Sequence, residues 1–258
     1  MLAPAAKLAA SNGARPPVAA AVTVVIPTYN ERENLPVCVE RVMALGPEYW
    51  VIVVDDQSPD GTGRIADELA AAYPGRIEVV HRPMKVGLGP AYIAGLGAAL
   101  RSAPDLIATM DADLSHDPAD LVRLAAAVAG ADLALGSRFV RGGASRGRSL
   151  SRRLLSRLGG RYAAAVLGVP VADLTSGFKL FRRATLERIE LDTVRSDGYV
   201  FSIEVTYRAI RRGCRVVEVP ITFTDRVAGQ SKFSPRIVAE AMLVVWRLRF
   251  SRELARLT

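Results

Sequence analysis

The sequence predicts an α/β fold in which a mixed, mostly parallel sheet carries helices on both faces. Short apolar runs alternate along the chain with stretches of helical periodicity, which is the order that builds such sheets. The 258 residues, 50% of them hydrophobic and 23% charged, are enough to bury one sizeable core. In a fold of this class, binding residues are expected where the strands end.

The elements follow in order along the chain. Residues 1–20 are rich in Ala, Pro, Gly and Ser and lack periodicity, which predicts a flexible tail before a domain over 21–233. An amphipathic helix is predicted over 234–258. Buried strands are expected at 22–26, 51–54, 77–80, 106–109 and 133–135. Helices are expected near 33–45, 62–72, 90–101 and 118–128.

Two cysteines and two histidines exclude several classes of protein. Cys38 and Cys214 cannot build a disulfide scaffold or a cysteine-rich zinc module, and both fit core positions in a protein of a reducing compartment. His81 and His116 leave little room for a multi-histidine metal site. No apolar run reaches the roughly 18 residues that span a bilayer. The start of the chain also lacks the compact apolar run of a signal peptide.

Positive charge is concentrated in one segment. The chain carries 34 basic and 26 acidic residues, a formal charge of +8. Residues 133–172 contain eight arginines and no acidic residue, so this segment alone carries a charge equal to the whole excess. Such a segment indicates a polyanionic partner: nucleic acid, an anionic membrane surface or a phosphate-bearing substrate. Within this segment, Phe139 and Tyr162 are the only aromatic residues that could stack on bases, which weakens the nucleic-acid hypothesis.

Chemically informative residues follow four successive predicted strands. The first strand leads into P-T-Y-N-E at 27–31 and the second into D-D-Q-S-P-D-G-T at 55–62. The third leads into K-V-G-L-G at 85–89 and the fourth into D-A-D at 111–113. Each segment alone also fits a polar turn or a helix cap. Because the carboxyl ends of parallel strands share one sheet edge, all four are expected to line one crevice.

Asp111 and Asp113 place two carboxylates in one small space. Like charges so close are unfavourable unless a proton or a cation intervenes. Hard divalent ions such as Mg²⁺ and Mn²⁺ prefer oxygen ligands and often keep substrate phosphate oxygens in their shell. The pair therefore predicts a metal-bound diphosphate, with a solvated acidic loop as the competing interpretation. Lys85 and the backbone N–H groups of its glycine loop are expected to add phosphate contacts.

These motifs carry a resemblance to a known family. The fourth segment extends to M-D-A-D-L-S-H, and the chain adds G-S-R at 136–138, D-L-T-S-G-F-K-L-F at 173–181 and G-Q-S-K at 229–232. In this order, over roughly residues 22–250, they resemble the polyprenol-phosphate (dolichol-phosphate) mannosyltransferases of glycosyltransferase family two. The resemblance implies a GT-A fold and the transfer of mannose from GDP-mannose to a polyprenyl monophosphate, with inversion at the anomeric carbon. It also implies a need for Mg²⁺ or Mn²⁺.

The resemblance also implies residue roles. It implies that Asp113, Arg138 and Arg226 take part in the catalytic step. Ser115 stands where some relatives have a glutamine at the metal, so a direct contact and a bridging water both stay open. The implied donor-binding residues are Pro27, Tyr29, Glu31, Val54, Asp56, Lys85, Asp111, Ala112 and Asp113. The implied acceptor-phosphate residues are Arg138, Arg153 (or its neighbour Arg152), Arg226 and Lys232.

Two stretches have the pattern of helices at a membrane interface. Over 149–169, leucines repeat on one face with arginines at its margins, which is typical of a basic amphipathic helix on an anionic bilayer. Over 237–250 the chain is apolar but too short to span a membrane. Packing on the protein core is the alternative for both. Since a polyprenyl acceptor dissolves only in the bilayer, we expect a peripheral protein on the cytoplasmic face, held by lipid or by a separate membrane-anchoring protein.

Other functions compete with this one. Within glycosyltransferases, the rival is transfer of glucose or another hexose to polyprenyl phosphate. A nucleic-acid-binding protein would explain the arginines but not the carboxylate pair, and a pure scaffold would bind no nucleotide sugar. A dehydrogenase is disfavoured because Gly87-x-Gly89 lacks the third glycine of the dinucleotide fingerprint. No dedicated base is expected, because a phosphate monoester is already mostly dianionic at pH 7; Asp197 is the strongest candidate against this view.

Overall fold

The computed structural model describes residues 20–102, 104–147, 149–225 and 235–251, with side chains left out at 152 and 235–241. Apart from its last residue, the tail predicted over 1–20 lies outside these ranges. The strands are β1 (Val22–Thr28), β2 (Tyr49–Asp55), β3 (Ile77–His81), β4 (Leu106–Thr109), β5 (Leu133–Ser137), β6 (Ala144–Arg146), β7 (Lys179–Arg182), β8 (Val216–Pro220) and β9 (Thr222–Thr224).

The predicted helices form with bounds close to those expected. Together with the five predicted strands, the four helices expected before residue 130 are confirmed, and every bound lies within two residues of its prediction. Short 3₁₀ turns follow at Val128–Gly130 and Leu191–Thr193. The helices are α1 (Asn34–Met43), α2 (Thr62–Ala72), α3 (Leu88–Arg101), α4 (Asp120–Ala127), α5 (Leu150–Leu167), α6 (Arg183–Ile189), α7 (Gly198–Arg211) and α8 (Pro235–Phe250).

A seven-stranded sheet forms the middle layer, in the order β3-β2-β1-β4-β7-β5-β8. Its strands pair in parallel except at β7, which runs antiparallel to both β4 and β5. The prediction of a mixed, mostly parallel sheet is therefore confirmed. Strands β6 and β9 pair separately as a small parallel sheet. Because β3, β2, β1 and β4 are consecutive and parallel, their carboxyl ends lie side by side along one edge.

Alternation along the strands divides the core between the two faces of the sheet. In β1, Val24 and Ile26 pack with α1, α2 and α4, whereas Val25 packs with Ile52 and Val54 beneath α3. Helices α6 and α7 complete the second face. Each fully buried aliphatic side chain of this kind contributes about 1.5–3 kcal/mol. Burial on both faces explains why the central strands read as continuous apolar runs.

The second half of α5 packs against α7 and α8. Ala163 and Leu167 of α5 are buried in one cluster with Val245 and Leu248 of α8. Helix α5 ends two residues before its predicted end because Gly168 adopts a left-handed φ of +69°, which stops a right-handed helix. Core packing, the alternative to membrane contact, holds for this half. In the described part of the chain, no helix combines the length and the apolar character needed to cross a bilayer.

Two glycines of α3 allow a matched test of this packing. A Cβ at Gly95 would lie 2.4 Å from Cγ1 of Val25 and 2.7 Å from Cγ2 of Val54. Gly95→Ala should therefore lower the free energy of unfolding by about 1–3 kcal/mol. At Gly97 the nearest atom to a Cβ is Nη1 of Arg101, at 4.0 Å, so Gly97→Ala should be neutral or stabilise by up to about 1 kcal/mol. Urea denaturation measures both; equal stability would contradict the close approach of α3 to the sheet.

Candidate active site at the strand ends

The segment after β1 is held by the segment after β2. The N–H of Asn30 donates to Oγ of Ser58 at 3.1 Å, and the N–H of Glu31 donates to Oγ1 of Thr62 at 3.0 Å. Asp60 orients Thr62 by accepting from its N–H at 3.0 Å and from its hydroxyl at 2.6 Å. Partial burial alone would raise the pKa of Asp60. These bonds stabilise its charged form and hold the pKa below its usual value. Asp60 is thus an anionic turn residue that orients Thr62, and Thr62 joins the two strand-end segments.

Left-handed backbone is concentrated in the strand-end segments. Four non-glycine residues of the described ranges have φ near +60°, and three of them, Asn30, Gln57 and Leu114, lie in these segments. This conformation costs roughly 1–2 kcal/mol for a residue with a Cβ. Such strain is retained where the surroundings over-determine it, and it gathers at functional sites. Leu114 is the clearest case, because its aliphatic side chain cannot form the local hydrogen bond by which Asn or Asp tolerates this conformation.

Asp56 links the segment after β2 to the segment after β3. Nη1 of Arg82 lies 2.5 Å from Oδ1 of Asp56, and the N–H of Gly87 bonds the same carboxylate. Burial raises the pKa of Asp56, and Arg82 and Gly87 oppose that rise. The pair is largely shielded from water, with 13% of the Arg82 side chain and 6% of the Asp56 side chain exposed.

In the glycine loop, a lysine contacts an aromatic ring and two glycine N–H groups lie against aspartates. Nζ of Lys85 lies 3.2 Å from the centroid of the Tyr29 ring, a cation–π contact. The N–H of Gly87 is bound to Asp56, and the N–H of Gly89 donates to Oδ1 of Asp197 at 2.6 Å. Phosphate contacts from these N–H groups stay a prediction, since a bound phosphate would have to replace the two aspartates as acceptor. Carboxylates distant in the sequence take both donors, and no local pattern reveals them.

The carboxylate pair follows β4 in the middle of this edge. Tyr92 of α3, which is fully buried, donates its hydroxyl to Oδ1 of Asp111 at 2.8 Å. Burial and the charge of Asp111 raise the pKa of Tyr92 well above its usual value, so it remains a donor. Oδ1 of Asp113 accepts from the N–H of Ser115 at 3.0 Å. Burial and then both carboxylates raise the pKa of Cys38 to about 12, so its thiol stays protonated.

Two carboxylates and a hydroxyl make up the candidate metal site. Oγ of Ser115 is buried and has no hydrogen-bond partner among the described residues, as is expected of an oxygen that meets a ligand or a water. The described ranges contain no group of three or more His, Cys, Asp or Glu side chains arranged for a metal. The residues therefore fit Mg²⁺ or Mn²⁺ held by Asp111 and Asp113 with the remaining oxygens from a phosphate or water, not a metal held by protein alone.

Arg138 and Asp173 form a buried ion pair beside this site. Nε and Nη2 of Arg138 donate to the two carboxylate oxygens of Asp173, both at 2.7 Å, and Nη2 also donates to Oγ1 of Thr175 at 2.8 Å. Burial alone would raise the pKa of Asp173, but Arg138 and Thr175 hold it below its usual value. The fork of Arg138, expected at the acceptor phosphate, is thus closed on Asp173. Nη1 is the guanidinium nitrogen of Arg138 that would contact another anion.

Lys179 places a buried amino group under the same loop. Its Nζ donates to the backbone carbonyl of Ser176. Burial lowers the pKa of Lys179 to about 7, and the charges of Asp173 and Asp111 oppose that effect. Sequence reasoning missed Lys179 and Tyr92 as site residues. Nothing in the pattern separates this lysine from a surface one, or this tyrosine from an ordinary core aromatic.

The other predicted site residues are less closely grouped. Pro27, Val54 and Ala112 are buried, and Val54 packs in the cluster beneath α3. Arg153 is exposed on the first half of α5. The remaining predicted groups lie outside the described residues: Arg226, Lys232 and the side chain of Arg152.

Comparison with known proteins finds similarity over nearly the whole chain. Residues 23–190 match the family model described as glycosyl transferase family 2. The chain is 51% identical over 236 residues to the polyprenol monophosphomannose synthase of Mycolicibacterium smegmatis, covering 90% of this chain and 89% of that protein. It is 47% identical over 226 residues to the undecaprenyl-phosphate mannosyltransferase of Micrococcus luteus, covering 88% of this chain and 93% of that one.

Among solved structures, the glucosyl-3-phosphoglycerate synthase of Mycobacterium tuberculosis shares the fold. Its complex with Mn²⁺, uridine diphosphate and phosphoglyceric acid gives a TM-score of 0.64 at 20% identity. The match covers 89% of this chain and 78% of that one.

Lys179 should make stability depend on pH in a defined window. Its pKa is about 7 in the folded chain against an ordinary value of 10.5. Between these values the unfolded chain binds more protons, so the free energy of unfolding rises with pH. Lys179→Met removes this rise. The free energy of unfolding of the variant minus that of wild type should therefore be greatest below pH 7 and should decline towards pH 10.5. Urea denaturation across this range measures the difference, and a difference independent of pH would contradict a neutral buried lysine.

Proposed function

The chain belongs to glycosyl transferase family 2, and we propose that it transfers mannose from GDP-mannose to the phosphate of a polyprenyl monophosphate. The family and the GT-A type of fold expected from the motifs are confirmed. One observation carries the choice of sugar and acceptor: 51% identity over 90% of the chain to a polyprenol monophosphomannose synthase. The nucleic-acid alternative gains no support from these similarities.

On the donor side, the proposed roles follow the contacts of the crevice. Three donor-side residues, Tyr29, Lys85 and Asp56, lie at the ends of the first three strands. Lys85 contacts the Tyr29 ring, and its loop is bonded to Asp56 through a glycine N–H. They would line the nucleotide pocket. Asp111 and Asp113 would hold Mg²⁺ or Mn²⁺ together with the diphosphate. When bound, the metal supplies positive charge against the charge that develops on the leaving diphosphate. The Mn²⁺ complex of the structural neighbour agrees with a divalent ion in this fold.

On the acceptor side, a phosphate oxygen would attack the anomeric carbon of mannose. The bond from that carbon to the diphosphate oxygen breaks, GDP leaves with the bonding electrons, and the configuration inverts. A phosphate monoester has a second pKa of about 6, so its oxygen needs no side-chain base at pH 7. The proposed task of Arg138, Arg153, Arg226 and Lys232 is to hold this oxygen in line and to neutralise the repulsion between the two phosphates.

A donor competition tests the proposal. The full chain is given Mn²⁺, polyprenyl phosphate and one of three donors labelled in the sugar: GDP-mannose, UDP-glucose or UDP-galactose. We expect label in the lipid phase from GDP-mannose. Label from a UDP-sugar alone would favour the hexosyl alternative, and no label from any donor would refute transfer to a lipid phosphate.

The same assay tests the metal site. Asp113→Asn should lower transfer by about a hundredfold or more, because the amide loses the charge that attracts the ion. Its oxygen can still accept from the N–H of Ser115, so the loop should keep its shape. Asp117→Asn is the matched control, since Asp117 is exposed and its bond to the N–H of Ala119, at 3.0 Å, suits an amide equally well. Wild-type rates with wild-type Mn²⁺ dependence in Asp113→Asn would overturn the assignment.

Helices α5 and α8 expose the apolar side chains that we propose as a membrane-docking surface. The leucines in the first half of α5 are between 41% and 79% exposed, and exposed arginines lie among them. Helix α8 adds two stacked aromatic rings with centroids 5.6 Å apart. An anionic bilayer at the cytoplasmic face fits both the apolar and the cationic groups. The apolar members are Leu150, Leu154, Leu155, Leu158, Met242, Leu243, Trp246 and Phe250.

Vesicle sedimentation tests this surface. Leu154→Ser combined with Leu158→Ser should weaken binding to phosphatidylglycerol vesicles by about tenfold or more, since each leucine contributes about 2 kcal/mol on leaving water. Both leucines are exposed, so the fold should not change. Val122→Ser on α4, at a side chain 51% exposed, is the control. Wild-type binding should also fall as ionic strength rises from about 0.05 to about 0.5 M.

Two outcomes would contradict the membrane proposal. Equal sedimentation with anionic and neutral vesicles at every salt concentration would exclude its electrostatic part. Absence of sedimentation with either kind of vesicle would point instead to a separate membrane-anchoring protein.

A further inference from the structure

One carboxylate oxygen lies at the amino ends of two helices. Asp197 is the N-cap of α7, and its Oδ1 accepts from the N–H of Gly198 at 2.6 Å. The same oxygen accepts from the N–H of Gly89, in the first turn of α3, also at 2.6 Å. The N-cap residue of α3 is Gly87, which has no side chain to accept a hydrogen bond from the first turn. Asp197, 108 residues from Gly89, supplies that acceptor. A negative charge is favourable at both helix ends.

Two glycines make room for this arrangement. A Cβ at Gly87 would lie 2.1 Å from Oδ2 of Asp197, and a Cβ at Gly89 would lie 2.5 Å from the carbonyl oxygen of Ser196. Both distances are far below a van der Waals contact. Gly87 also has a φ of +137°, which residues with a Cβ rarely adopt. The glycines of this loop therefore serve the approach of α7 to α3.

Helix α3 connects this junction to the groups proposed to hold the donor. On one side of Gly89, the chain leads back to Lys85 and its contact with the Tyr29 ring. On the other side, one turn further along α3, Tyr92 stacks on Phe201 of α7 with ring centroids 5.5 Å apart and planes 4° apart. The hydroxyl of Tyr92 then reaches Asp111. A shift of the amino end of α3 would thus move the lysine and the metal carboxylate together.

We propose that Asp197 is a positioning residue that fixes the amino end of α3 against α7 and thereby sets Lys85 and Asp111 for the donor. The proposal rests on the proposed function in one respect, since it takes these two groups as donor ligands. In this role the carboxylate of Asp197 accepts hydrogen bonds from two N–H groups and takes no proton in the reaction. This role accounts for an aspartate beside the crevice without making it a base.

Two substitutions separate positioning from base catalysis. Asparagine caps helices as well as aspartate does, so Asp197→Asn should keep the affinity for GDP with Mn²⁺ within about threefold of wild type, and should keep kcat similarly. Asp197→Ala loses both bonds, so its affinity for GDP with Mn²⁺ should fall about tenfold while kcat at saturating donor changes less. Calorimetry measures the affinity, and the donor KM and kcat are measured separately.

Hydrogen exchange provides a readout that needs no donor. In Asp197→Ala, amides at 87–93 should exchange at least about tenfold faster than in wild type, and Asp197→Asn should restore protection. Ser102→Ala is the control at the other end of the same helix, where Oγ of Ser102 donates to the carbonyl of Ala99 at 3.1 Å. It should leave both the affinity and the exchange at 87–93 unchanged.

The outcomes distinguish this proposal from the function on which it rests. Unchanged exchange at 87–93 in Asp197→Ala would overturn the positioning role. A loss of several hundredfold in kcat in Asp197→Asn, with GDP affinity intact and a shifted pH profile, would overturn it in favour of a general base. If wild type itself fails to bind GDP with Mn²⁺, the proposed function and the donor part of this proposal fail together, and the exchange data still decide whether Asp197 holds α3.

Discussion

Repulsion among carboxylates is the constraint on which the crevice depends. Strand ends and the loops beside them bring several aspartates to one edge of the sheet, where like charges are unfavourable unless each carboxylate meets a partner. Asp56 meets Arg82, Asp173 meets the fork of Arg138, and Asp197 meets two N–H groups. Asp111 accepts from the phenol of Tyr92, which orients the carboxyl group without bringing a positive charge to it. An oriented, charged oxygen is what a divalent ion requires.

The sequence was sufficient for the features that depend on local periodicity and failed for those that depend on distant contacts. Continuous apolar runs located the central strands, and the polar segments after them located the crevice. The same reasoning did not find that the N–H groups of Gly87 and Gly89 lie against the carboxylates of Asp56 and Asp197. A cap supplied from 108 residues away leaves no trace in a window of five residues. Tyr92 escaped notice for the same reason.

Helix α5 combines two environments that its pattern did not separate. Its leucines and later aliphatic residues repeat at one spacing, so the sequence offered either a membrane contact or core packing for the whole helix. The structure divides it: Leu154 and Leu158 are exposed, whereas Ala163 and Leu167 are buried with α8. Periodicity gives the direction of a face but not what covers it. The packed half gives the exposed half a fixed orientation relative to the sheet.

The direction of β7 decides which loops can meet at the crevice. A parallel strand brings its carboxyl end to this edge, whereas antiparallel β7 brings the residues that precede it. Lys179, its first residue, pairs with Thr109 at the end of β4, and the hydroxyl of Thr109 donates to the carbonyl of Gly177 at 2.6 Å. If β7 ran parallel, the loop that carries Asp173 would lie at the opposite edge, away from Asp111. Alternation along a strand is the same in both directions, so periodicity cannot reveal this choice. The reversal of one strand is therefore what allows the Arg138–Asp173 pair and the carboxylates of Asp111 and Asp113 to share one crevice.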